Sequence, residues 1–99
     1  MNASPADPLS PLRIVRPSDL GPTIRARRRE QSLRIDDAAA LSGVSVDLLS
    51  RLENGKGSVR LDKLLAVLDG LGLALVVGPK DHAWMQTVAR LATVGTLRT

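Results

Sequence analysis

The sequence predicts a mainly α-helical fold: a helix-turn-helix inside a bundle of four to five helices, followed by one C-terminal strand. Residues 43–55 carry most of that reading. Gly43 makes a turn, Ser45 caps a short amphipathic helix, and Asn54-Gly55 stops it. An Ala-rich helix lies just before, and its apolar pattern is out of phase with the one that follows. The third observation is the run Leu73-Ala74-Leu75-Val76-Val77, bounded by Gly72 and Gly78-Pro79, which has the length and composition of a strand.

Taken in order, residues 1–16 form an arm. Pro5, Pro8 and Pro11 stand there among small polar residues, and Leu12 to Arg16 alternates apolar and basic side chains. The domain proper is expected over 17–79, with 80–99 as a tail or short helix. Ser18 is the expected cap of helix one, about Asp19 to Gln31, with Asp19 in the first turn, where the helix dipole favours negative charge. Pro22 lies where a missing N–H costs little, and Leu20 and Ile24 face the core. Helix two spans Asp36 to Ser42 with Ala38, Ala39 and Leu41; its small residues permit close approach of a neighbour. Helix three runs from the Ser45 cap to about Glu53 with Leu48, Leu49 and Leu52 inward. Helix four begins near Leu61, carries Leu61, Leu64, Leu65 and Leu68 at helical spacing, and ends at Gly70 and Gly72. A single strand cannot satisfy its own backbone, so Leu73 to Val77 needs either Ile14-Val15 or the same strand of a second copy. That requirement is the main argument for a homodimer. No internal repeat is visible.

At 99 residues the chain holds one small core, to which a dimer interface would add. Its formal net charge of +4 suits a polyanionic partner and equally suits an Arg-rich solvated surface. With no Cys, disulfides and thiolate zinc sites are excluded. A lone His82 and no Tyr leave little for nucleophilic or metal catalysis, so neither an enzyme, a cofactor nor a small-molecule substrate is expected. Adjacent Asp36 and Asp37 compensate a helix dipole rather than form an acid–base pair. No apolar run has the length of a membrane span, and a cytoplasmic location is expected.

The Gly43–Gly55 motif, with Leu33, Ala39 and Glu53-Asn54-Gly55 around it, resembles the Xre or phage-repressor helix-turn-helix family, over roughly residues 18–72. Asp19-Leu20-Gly21, Ile24-Arg25, Arg27-Arg28 and the apolar run after helix four are most similar to the HipB-type antitoxins. The resemblance implies a lambda-repressor-like bundle whose strand (Leu73, Ala74, Leu75, Val76, Val77) pairs across a dimer. It implies double-stranded DNA as partner, an operator inverted repeat at the protein's own promoter, and a HipA-like kinase toxin held inactive. It places Val46, Asp47, Ser50 and Arg51 on the base-reading face of helix three, beside the Ser45 cap. Arg51 suits guanine and Val46 a thymine methyl, whereas Asp47 repels phosphates but can accept from cytosine. Lys56 and the backbone N–H groups from Asn54 to Ser58 match the family's phosphate-gripping turn, with Arg25, Arg29, Arg34 and Arg60 as further cations. Arg28 is expected to pair with Glu53 inside the domain. The sequence departs from the family at Ile35, where a DNA-contacting Gln is usual nearby, and at Arg34, where a capping Thr or Ser is common.

Trp84, the only aromatic residue, either anchors a protein partner or folds back on the apolar segment 73–77. Two further readings stand beside the antitoxin: a module that neutralises a protein partner without binding DNA, and a free-standing phage-type regulator.

Overall fold

The computed structural model describes residues 11–83 and 85. The chain divides into two units. One is Val15–Leu75. The other comprises Met1–Ile14 and Val76–Thr99, within which 11–14, 76–83 and 85 are described. The first unit holds a 3-10 turn, Pro17–Asp19, and four helices: α1 (Leu20–Glu30), α2 (Ile35–Ser42), α3 (Val46–Glu53) and α4 (Leu61–Gly70).

Its core is small and drawn from all four helices. Ile24 of α1, Ala38 and Ala39 of α2, Leu49 and Leu52 of α3, and Val67 and Leu68 of α4 are buried together with Leu71. Leu33, Val44, Val59 and Leu73, from the connecting segments, pack against them. The two alanines let α4 lie close to α2. Closer still, α4 meets α2 at Gly70, where an added Cβ would lie 2.6 Å from the Ser42 Oγ. Gly21 does the same for α1 and α3: a Cβ there would strike the Glu53 carbonyl oxygen and lie 2.9 Å from that of Leu52.

All four helices end alike. A residue of positive φ follows each one, Ser32 (57°), Gly43 (71°), Gly55 (65°) and Gly72 (72°). The next amide then reaches back over the last turn. Leu33 N–H donates to the Arg28 carbonyl (3.1 Å), Val44 to Ala39 (3.0 Å), Lys56 to Arg51 (2.9 Å) and Leu73 to Leu68 (2.7 Å). This Schellman closure satisfies carbonyls that the helix leaves open. At three of the ends glycine supplies the left-handed backbone without strain; at the end of α1, Ser32 adopts it at a cost.

One expectation changes here. Ser18 does not cap α1. It lies inside the 3-10 turn, and the Asp19 Oδ2 instead accepts the Val15 and Arg16 amides, each at 2.9 Å. Those two hydrogen bonds hold the Asp19 carboxyl below its ordinary range. On α4 the inward stripe is Leu64, Val67, Leu68 and Leu71, while Leu61 and Leu65 are exposed. Apolar residues lie almost all round this helix, so two stripes fit the spacing, and the one including Val67 and Leu71 reaches the core. Leu41 of α2 is likewise exposed.

Residues 73–79 have no regular secondary structure, and no β-ladder exists among the described residues. The ladder is what makes a strand, and residues 73–79 form none with the other described residues. Leu75, Val76 and Val77 are exposed, Val77 almost fully at 89%. No helix among the described residues is long and apolar enough to cross a membrane.

Candidate nucleic-acid interface

The turn between α2 and α3 sets the geometry. Gly43, in the left-handed conformation, closes α2, and the Ser45 Oγ accepts the Leu48 amide at 3.0 Å to open α3. With Leu49 and Leu52 committed to the core, helical periodicity turns Val46, Asp47, Ser50 and Arg51 to the other side. Val46 and Asp47 are exposed, and Ser50 and Arg51 half-buried. On that face the Arg51 Nε donates to the Asp47 Oδ2 at 3.1 Å, one helical turn away.

The rear of α3 is anchored by a different pair. The Glu53 side chain is only 2% exposed. It accepts from Arg28 twice, Nε at 2.6 Å and Nη2 at 2.9 Å, and from the Arg25 Nε at 3.3 Å. Arg28 also donates Nη1 to the Leu33 carbonyl at 3.0 Å, joining α1, α3 and the turn after α1. Burial alone pushes the Glu53 carboxyl up. The hydrogen bond and charge of Arg28, with those of Arg25 behind them, reverse this and hold it below the ordinary glutamate range. Glu53 in turn raises the Arg28 guanidinium against the opposing effect of burial.

Arg25 and Asn54, expected at the DNA, make hydrogen bonds within the domain at its surface, where Asn54 is exposed and Arg25 half-buried. Besides Glu53, Arg25 holds the Asn54 Oδ1 at 2.7 Å through Nη2. The Asn54 Nδ2 closes α3 on the Ser50 carbonyl at 2.7 Å. The loop amides are similarly committed. Those of Asn54, Gly55 and Lys56 return to the Ser50, Leu52 and Arg51 carbonyls. Of the five amides expected to grip a phosphate, only Gly57 and Ser58 make no hydrogen bond among the described residues. A helix end followed by a tight turn must satisfy its own carbonyls first.

The remaining cations lie in the open, several of them beside a carboxylate. Arg34 Nε stands 3.4 Å from the Asp36 Oδ1, and Arg60 Nη2 2.9 Å from the Asp62 Oδ2. Lys56 and Arg29 are exposed and have no carboxylate partner among the described residues. Asp36 and Asp37 are exposed in the first turn of α2. Among the described residues no three His, Asp or Glu side chains gather to hold a metal.

Sequence reasoning missed Arg27 as a structural residue. Its Nε donates to the Leu71 carbonyl at 2.8 Å, beside the Gln31 Nε2 at 3.2 Å, tying α1 to the end of α4. A signal was present. Leu20, Ile24, Arg27 and Arg28 follow the i, i+4, i+7, i+8 stripe, so both arginines continue the inward face. The expected role of Trp84, and most of the tail or short helix expected over 80–99, lie outside the described residues.

Comparison with known proteins agrees with this architecture. The helix-turn-helix domain family matches the chain over residues 19–77, from the 3-10 turn through the apolar segment after α4. The chain belongs to that family. It is also 40% identical over 71 residues to an uncharacterized HTH-type transcriptional regulator, y4mF, of Sinorhizobium fredii. That alignment covers 71% of this chain and 93% of the relative.

Proposed function

We propose that this protein is a sequence-specific DNA-binding transcriptional repressor that acts as a homodimer on an inverted repeat at its own promoter. The observation that carries the reading is α3. It is capped at Ser45, locked from behind by the Glu53 carboxylate, and displays Val46, Asp47, Ser50 and Arg51 on its outward face. A short helix held this way after a tight turn suits the major groove. Arg51 reads guanine and Val46 meets a thymine methyl. Lys56, Arg34, Arg60 and the Gly57 and Ser58 amides contact phosphates and fix the register. The similarity to a protein named as an HTH-type transcriptional regulator supports the regulatory role.

Dimerisation runs through Leu73 to Val77. These residues leave backbone groups without a ladder and expose Leu75, Val76 and Val77. Pairing with the same segment of a second copy satisfies both. The finer role is that of an antitoxin in a HipBA-like module, holding a HipA-like kinase inactive; its support is the residue pattern from Asp19 to Val77 that resembles HipB-type proteins. An electrophoretic shift with the upstream promoter duplex tests the DNA reading, and absence of a shift at low salt overturns it. Co-purification with a kinase-like product of the neighbouring gene tests the antitoxin role.

One observation favours a second reading. The pairs Arg34–Asp36, Arg51–Asp47 and Arg60–Asp62 neutralise much of the positive field of the proposed contact face. A module that binds a protein partner without DNA would tolerate this. Complex formation with such a partner, together with no DNA binding at any salt concentration, would establish it.

A further inference from the structure

We propose that Asp47 is a positioning residue that fixes Arg51 for guanine and thereby sets base preference, an inference that rests on the DNA-binding reading above. Alone on a face meant for DNA, an exposed carboxylate repels phosphates. Here it is not alone. Its Oδ2 accepts the Arg51 Nε at 3.1 Å across one turn of α3. That bond occupies the Nε edge of the guanidinium. The two terminal nitrogens, Nη1 and Nη2, make no hydrogen bond among the described residues.

The loop after α3 passes near the guanidinium as well. Nη1 lies 3.4 Å from the place a Cβ would occupy on Gly57, whose φ is +71°. Arg51 is therefore tethered at Nε by a carboxylate on its own helix, with the loop at Gly57 passing near Nη1. What it presents is a pair of donors, the arrangement that matches the N7 and O6 acceptors of guanine.

The pair is too exposed to matter for folding, since the Asp47 side chain is 83% accessible and Arg51 42%. Its value lies in order. A free arginine side chain samples many rotamers and loses them on binding; one held at Nε has fewer to lose. The pair is also formally neutral, so Asp47 adds less repulsion at the phosphates than a lone carboxylate would. The ligand is thus a duplex half-site with a guanine at one defined position.

The test uses the full-length protein and a panel of promoter duplexes carrying each base at every half-site position, read by fluorescence anisotropy. The relevant position is the one at which R51A loses its preference. There the wild type should favour guanine about tenfold or more, in line with one bidentate contact. D47N should keep the wild-type melting temperature and bind non-cognate duplexes as well or better, yet retain only about a third or less of that preference. D47E, which can still reach Arg51 at i+4, should restore most of it. The proposal is overturned if D47N tightens binding to every duplex alike with the guanine preference intact; Asp47 then only repels phosphate. It is also overturned if R51A alters no base preference. Failure of the wild type to bind any duplex at low salt is a separate result, which removes the DNA reading itself.

Discussion

Helix α3 contributes a carboxylate to each of two carboxylate–guanidinium pairings, and the two do different work. Glu53 is buried and accepts three hydrogen bonds from Arg25 and Arg28. Asp47 is exposed and accepts one, from Arg51 on its own helix. In the first pair the carboxylate depends on the cations, because Glu53 has almost no water to fall back on. In the second, water and ions screen the attraction and little stability is at stake. One pair fixes where the helix lies; the other stands on the face proposed to meet DNA.

The largest expected effect comes from breaking the buried pair. Glu53→Ala leaves Arg28 facing an uncompensated cavity and should destabilise the domain by about 3–5 kcal/mol in urea unfolding. The pH dependence follows from the same group. The folded-state value of Glu53 is depressed, so its contribution is complete above the ordinary glutamate range. It is lost as pH falls through the folded value, and acid unfolding of Glu53→Gln should lack that component.

Gly21→Ala attacks the same junction from the α1 side. A methyl there meets the Glu53 and Leu52 carbonyls, which are backbone and cannot swing away. A loss of about 1–3 kcal/mol is expected, visible as a lowered melting temperature. A small effect of opposite sign is predicted at the end of α1. Ser32→Gly relieves a left-handed backbone and should gain about 0.5 kcal/mol, unlike the three ends already closed by glycine. Least of all, Asp47→Asn should change stability by less than about 0.5 kcal/mol. A loss near that of Glu53→Ala would erase the distinction between the two pairs.

Much of this arrangement was legible from residue types. Gly43, Ser45 and Asn54-Gly55 have strong local preferences, and each marks a helix end where those preferences are met. The pairing of Arg28 with Glu53 was expected from family resemblance, and the structure has these two side chains in direct contact. Other features depend on tertiary geometry. Arg25 and Arg27 look like surface cations until the Glu53 carboxylate and the Leu71 carbonyl are placed beside them. The inward face of α4 is ambiguous because Leu61, Leu65 and Val67 are all apolar; only the position of α2 selects among them. Ser18 and Asp19 are both good caps by type, yet neither side chain caps α1, because the Asp19 carboxylate turns back to the Val15 and Arg16 amides at the 3-10 turn. The loop after Glu53 has donors in abundance by composition, but most are consumed in closing α3.

We propose α3 as the helix that reads DNA. Titration of a fluorescent duplex from the protein's own upstream region, followed by anisotropy over a series of salt concentrations, tests it most directly. Saturable binding with two protomers per duplex is predicted, with affinity falling steeply as salt rises through release of counterions from the contacted phosphates. An anisotropy that stays flat at the lowest salt, with folded protein in excess, would contradict it.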